Sequence, residues 1–581
     1  MPKKKKRVEP DDYFRRGPIE IARFGKFVHM SSNWSKEDFE KQQAHLKAEL
    51  PKAISKLDTL VAKIADTIKK HSPLCLMHRA YWEMAQEHAC LHTESETIDE
   101  ISETKESVLS VLTLEYIQNI IAAARTDETH LIGEPSEEDW IELKNDIQEL
   151  YHTLKFKYLL CESVSETEPD NIDASHIRHQ AISHWINVRG ERYTSLEIAH
   201  LEDLLINHSN SIEQTLGISP NVLISEISKI IDALTKEAFQ AAEERAQIQE
   251  QHVNPNTLKK YFQTDIWKDT SAVGAEKFSE ALSNLGIEEQ VVNATDRFFG
   301  FGLFDLEKIT ELPISVLDHL SWEPGENTSF LDGGEQSGWP TRVTPITERP
   351  CLKIDRKFYC FNLYGLLDNF YRTVQRLVTS IDPSLKNAWE TVQKETTESL
   401  PLKYFEQLMP GANCFKDLYY KHYPNDSVNK KQWCEADGIV IYGELLLVVE
   451  VKAGAFTYTS PLDDFAAYVE SLKNLVEKPA KQGARLVDYI KSAENVSFYE
   501  EDKKRKILEL QEHNFRNIVV CTVTVDPFTE LTSQIQQLKP LGLELSQYPL
   551  WSISLDDLRA CADIFQDPLV FLHYLENRML A

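Results

Sequence analysis

The chain is poor in the parts that build redox, zinc or nucleoside-triphosphate sites. Its nine cysteines are scattered over 581 residues, with no Cys-x-x-Cys. That excludes a finger or ribbon and points to free thiols in a reducing compartment. No apolar run approaches the roughly 18 residues that a membrane span needs. The longest is Leu445–Val451, so no membrane partner is expected. A Walker A loop is missing as well. Gly333 to Gly338 has the spacing of its start, but Trp339-Pro340 stands where Lys-Ser/Thr would have to follow. Positive charge is also short: 63 Lys and Arg against 92 Asp and Glu give a net charge of −29. An acidic surface repels phosphate, which excludes a general nucleic-acid coat protein but leaves room for a locally basic groove.

The chain is long enough for about three to four domains with sizeable cores. Residues 1–34 form an N-terminal arm whose basic run, Pro2 to Val8, reads as a solvated terminus, a tag or a nuclear-import signal. The expected location is the cytoplasm, or the nucleus if that run is a working signal. Residues 35–251 read as a helical domain. Ile54, Leu57, Leu60, Val61, Ile64 and Ile68 recur at helical spacing, as do Trp140, Leu143, Ile147, Leu150 and Leu154. A scaffold, a sensor or a surface for a partner protein or second copy is the expected role. Two constellations there invite chemistry. Arg125 and His130 have the Arg-x4-His spacing of HEPN ribonucleases, with Thr126 in place of the usual polar neighbour. His88, Cys90 and His92 are zinc-type ligands, but spacing of two on a helix sends side chains to different faces. Residues 252–384, broken often by proline and glycine, read as a mixed connecting module. It ends in a hairpin turning at Asp355-Arg356 and a helix from Leu363 to Ile381.

The stretch Cys434 to Lys452 organises residues 385–581. Two apolar runs meet at Tyr442-Gly443-Glu444-Leu445. Glycine at the first central position suits a two-residue type II′ hairpin. Counted outward from that turn, Asp437 falls opposite Glu450, and alternation places Lys452 on the face of Glu450. Two acids and a lysine at the end of an otherwise apolar strand cost several kcal/mol per ion to bury unless something holds them. A divalent cation would do so.

Asp437, then Glu450-Val451-Lys452 at the end of a hydrophobic strand, resembles the motif of the PD-(D/E)xK nuclease superfamily, with Ala436 where the literal motif has proline. The resemblance covers residues 385–581. It implies a multidomain protein, mostly α-helical at its N-terminal side, followed by a C-terminal α/β restriction-endonuclease-like sandwich. The expected order is a helix over about 385–409, a strand over 414–420, the hairpin, a helix over 480–492 and a strand over 517–525. It further implies Mg²⁺, with Mn²⁺ as a substitute, on Asp437 and Glu450. Lys452 would assist the attacking water. Glu398 on the first helix, with Glu395 as runner-up, and Gln482 on the helix after the motif would complete the site. Glu435, two residues before Asp437, is a further acid near it. Lys473, Lys478, Lys481 and Arg485 are the candidate phosphate-backbone contacts. The expected activity is hydrolysis of nucleic acid, DNA in the first instance. Long bacterial antiphage-defence proteins carrying such a nuclease near the C-terminus are the analogy for the whole chain. The alternative is a non-catalytic nucleic-acid- or partner-binding protein on a degenerate nuclease fold.

Overall fold

A computed structural model describes residues 10–580, apart from 11, 17–18, 25–26, 33–34, 92–99, 128–132, 163–171, 191, 253–278, 281, 424–429, 455–459, 463 and 527–534. The basic run, His92 and His130 lie outside the described residues, as do the side chains of His88 and Cys90.

The N-terminal arm is a three-stranded antiparallel meander, β1 (Asp12–Arg16), β2 (Ile19–Phe24) and β3 (Phe27–Ser32). Helices dominate from there to residue 252. The first, Lys36–Lys70, is capped by Ser35, whose hydroxyl accepts from Asp38 N–H. Leu57, Leu60, Val61, Ile64 and Ile68 form its buried stripe, as their spacing predicts. Ile54, read as part of that stripe, is exposed. No helix among the described residues is long and apolar enough to cross a membrane.

The connecting module holds β4 (Ser321–Trp322), β5 (Cys351–Ile354) and β6 (Lys357–Tyr359). Asp355 and Arg356 make the β5–β6 turn with φ of 50° and 66°. The helix expected over Leu363 to Ile381 is two helices, Leu363–Leu367 and Phe370–Ile381, separated at Asp368-Asn369.

The C-terminal region is built on a seven-stranded mixed sheet. Its strands are β7 (Asn413–His422), β8 (Gln432–Tyr442), β9 (Leu445–Lys452), β10 (Val496–Tyr499), β11 (Lys506–Leu510), β12 (Asn517–Thr524) and β13 (Leu550–Ser554), in the order β11-β10-β7-β8-β9-β12-β13. β9, β12 and β13 run parallel; the other pairs are antiparallel. Leu445, Leu447, Val449 and Val451 face a core shared with the helix Lys386–Leu408. Leu446 and Val448 face a second core, under the helix Lys478–Lys491. Burial on both faces is what the unbroken apolar run of β9 demands. Gly483 sits against the sheet, and a Cβ there would come within 2.5 Å of Val520.

The first core is continuous from Leu57 in the helical region to Leu575 near the C-terminus. His208 stacks on Trp389 with ring centroids 3.7 Å apart. Asp203 accepts from Lys403 at 2.8 Å and Tyr404 at 2.7 Å, and pairs with Arg559. The helical region is therefore packed onto the helix that flanks the hairpin.

Candidate active site at the end of the hairpin

The hairpin forms as its turn residues dictate. Gly443 has φ of 57°, Tyr442 pairs with Leu445, and the ladder runs regularly to Gly438–Val449. There it stops. Asp437 is absent from the pairing with β9, and absent from the otherwise regular pairing with β7, where its partner would be Asp417. Asp417 itself has φ of 53°, a left-handed conformation that Asp tolerates better than most residues.

The alternation changes phase at these two aspartates. On β7, Phe415 and Leu418 both meet the second core. On β8, Ala436 and Ile439 do the same. A strict period of two would send the members of each pair to opposite faces. Asp437 is consequently placed at a seam where β8 and β9 part. Its Oδ2 accepts the N–H of Val451 at 2.7 Å, replacing a ladder bond. Glu450 keeps the phase of β9, facing the second core with Leu446 and Val448. The two acids thus come within electrostatic reach of each other at the opening of the hairpin, and not by simple same-face alternation.

Glu450 is only 2 % exposed. Burial pushes its carboxyl well above the usual range, and neighbouring Asp437 pushes it further; Lys452 and Arg485 pull it back. Burial also raises Asp437, against the Val451 N–H and Lys452. Glu398 belongs to the same cluster. It is 7 % exposed, and burial, followed by the charge of Asp437, lifts its carboxyl to about 7. Lys394 and Lys416 stand 3.6 Å and 4.0 Å from it. Glu395, one turn earlier, is exposed and outside this group. Glu435 joins through Lys394 at 3.5 Å.

Two oxygens carry information about what the site would hold. Glu450 Oε1 and Gln482 Oε1 are both buried and find no hydrogen-bond partner among the described residues. A buried carboxylate oxygen without a donor is expensive, and so is a buried amide oxygen. A hard cation is the natural partner for both atom types. Among the described residues, no three His, Cys, Asp or Glu side chains stand close enough together to hold a metal by themselves. Mg²⁺ asks for less, because it commonly binds through one or two carboxylates and keeps several waters. The donor set therefore fits a cation held by Asp437 and Glu450 and completed by water and substrate.

The expected phosphate contacts are arranged less openly. Lys481 bridges Glu477 and Glu544, at 2.5 Å and 2.8 Å. Lys473 pairs with Glu470 at 4.0 Å, and Lys478 donates to Asn474. Arg485 is half-buried and donates to the Tyr420 hydroxyl at 3.4 Å, on the side of Glu450. Of the four, Arg485 alone is brought to the acid pair. Lys394, Lys416 and Asp417 were not singled out by sequence. Only the Lys394–Glu398 spacing of four on a helix was a usable signal for them.

The raised Glu398 carboxyl has a consequence for stability. In the unfolded chain it ionises near the ordinary 4.5, whereas in the folded protein it holds its proton to about 7. Between those values the unfolded state sheds a proton that the folded state keeps, so stability falls as pH rises through the window. The cation-free protein should be more stable near pH 5 than near pH 8, by on the order of 1–3 kcal/mol from this group. Urea unfolding in chelator, wild type beside Glu398→Gln, checks it. An equal pH dependence in both proteins would assign the effect elsewhere.

Comparison with known protein families, with curated proteins and with solved structures finds no match for this chain.

Proposed function

We propose that the chain is a divalent-cation-dependent phosphodiesterase acting on nucleic acid, DNA in the first instance, with a PD-(D/E)xK-like core. The observation that carries this reading is the buried, unpartnered Glu450 Oε1 beside Asp437, with Lys452 two residues on. The layering supports it: the helix Lys386–Leu408 covers one face of the sheet and the helix Lys478–Lys491 the other, as in a restriction-endonuclease-like sandwich. A bound Mg²⁺ would supply Lewis acidity and a water acidified for attack.

The protein's own groups do the rest. Asp437 is fixed by the Val451 N–H, so its second oxygen is free to turn to a cation. Lys452 brings a positive charge to the place where charge grows on the phosphate. Glu398, titrating near neutrality, can hold or release a proton at the working pH. The helical region, packed on the site helix through His208 and Asp203, fits a controlling or assembling part, and antiphage defence is the setting that the resemblance suggests.

A second reading is a non-catalytic nucleic-acid- or partner-binding protein on the same fold. The absence of a three-ligand cluster among the described residues and of any matching family weighs toward it more than toward the first. The two separate on one experiment. Purified protein with Mg²⁺ is set against linear, circular, single-stranded and RNA substrates beside Asp437→Ala. The first reading expects cleavage that Asp437→Ala removes. Binding without cleavage in both proteins supports the second.

A further inference from the structure

Arg372 lies outside the stretch that resembles a nuclease, on the helix Phe370–Ile381, yet its guanidinium ends beside the candidate site. It is 5 % exposed. Its Nε donates to Asp526 Oδ1 at 2.9 Å, its Nη2 to the Ala453 carbonyl at 3.1 Å and its Nη1 to Gln375 Oε1 at 2.9 Å. Gln393, on the helix Lys386–Leu408, donates its Nε2 to the same Ala453 oxygen at 3.0 Å. That carbonyl therefore has both of its acceptor positions filled by side chains from two different helices.

The place of this clamp gives it meaning. Ala453 is the first residue after β9 and follows Lys452 directly. Asp526 lies two residues beyond the end of β12, the parallel neighbour whose last pair with β9 is Lys452–Thr524. Arg372 thus ties together the exits of two adjacent strands. A strand's last residue is where a ladder frays, and here that residue carries the lysine. Burying a guanidinium for stability alone is a poor solution, since a well-packed apolar side chain often serves as well or better. Its planar fork offers what an apolar residue cannot: donors at fixed angles to two partners at once.

We infer that Arg372 is a positioning residue for Lys452, bridging the exits of β9 and β12 so that the lysine stands in register with Asp437 and Glu450. The inference rests on the phosphodiesterase reading for its catalytic consequence, but not for its structural one. Displacement of a reacting group by about 1 Å can cost on the order of 10²-fold in rate.

The test uses full-length Arg372→Ala, Arg372→Lys and Gln393→Met, with two readouts. The first is kcat and KM on linear duplex DNA with Mg²⁺. The second is amide hydrogen exchange in 448–454, with 496–499 on β10 as the internal control. Arg372→Ala is expected to lower kcat by roughly 10- to 100-fold with KM within about twofold. It should also speed exchange in 448–454 about tenfold or more while β10 stays as it was. Arg372→Lys reaches one partner but not both and should fall between. Should Arg372→Ala fail to fold, Gln393→Met, which removes one of the two bonds to the same carbonyl, is expected to move both readouts the same way by less. Exchange that rises equally in both segments, or not at all, overturns the inference, as does a kcat that does not change. If the wild type cleaves nothing, the functional reading falls, and exchange in 448–454 alone decides whether Arg372 holds the strand end.

Discussion

Glu450→Gln is expected to make the cation-free protein more stable while abolishing both cation binding and cleavage. The glutamate is nearly inaccessible, one of its oxygens has no donor among the described residues, and Asp437 adds a second negative charge beside it. An amide of the same shape carries no charge to desolvate and relieves Asp437 of its neighbour. Replacing a poorly satisfied buried charge by a neutral isostere commonly gains about 1–3 kcal/mol. For a chain of this size that is a rise in melting temperature on the order of 1–3 °C. The gain should be larger at pH 8 than at pH 5. Burial and the charge of Asp437 raise the Glu450 carboxyl above its ordinary value, so lowering the pH returns its proton and relieves the wild type of part of the penalty. Cleavage should drop by about 10³ or more, since a ligand of the proposed cation and the charge it balances are both lost. Differential scanning calorimetry in chelator, a Mn²⁺ titration and a cleavage assay on the same preparation read all three. A variant that is less stable than wild type at pH 8 would mean that Glu450 is held by partners that make its charge favourable. The case for a cation would then go with it.

Lys452→Met should have the next largest effect and the opposite profile. The side chain is half-buried at the end of β9, and a methionine keeps most of its apolar stem. Removing one preorganised positive group from a site of developing charge costs about 10²–10³ in rate. Cation binding should survive or tighten, because a repelling charge has been taken away. The cation-free protein should lose stability, since Lys452 offsets the charges of the buried Glu450 and Asp437. Single-turnover cleavage at saturating Mg²⁺ separates the two residues: Glu450→Gln loses binding and rate, Lys452→Met rate alone. Full cleavage by Lys452→Met would remove the lysine from the chemistry.

Much of this arrangement could be read from residues alone, and the reasons are local. The hairpin was legible because Gly443 sits where a type II′ turn needs positive φ and the flanking runs are long and apolar. The site helix was legible because Pro410-Gly411 stops it, and its observed limits, Lys386–Leu408, lie within one residue of those expected. β12, Asn517–Thr524, lies within one residue of the strand expected over 517–525. What alternation could not convey is the phase change at Asp417 and Asp437. Period-two counting assumes an unbroken ladder, and the left-handed backbone at Asp417 leaves no sequence mark of its own. β10 and β11 were missed because they are short and joined by the charge-rich turn Glu500 to Arg505, where Arg505 pairs with Glu500 at 3.1 Å. Lys503, Lys504 and Arg505 are part of that turn.

Long-range packing was the least legible of all. Nothing near Trp389 announces that His208 stacks on it, and nothing near Ala453 announces Arg372, 81 residues upstream. Such contacts decide how far the site depends on the rest of the chain. The buried core that runs from Leu57 to Leu575 makes the helical region part of the site helix's environment.

Asp437 and Glu450 are proposed to grip one divalent cation at the mouth of the β8–β9 hairpin. Anomalous scattering from crystals of the wild-type protein grown with Mn²⁺ tests it most directly. A single strong peak within bonding distance of both carboxylates is the predicted result. A map with no peak there, or with manganese bound only elsewhere, would contradict it.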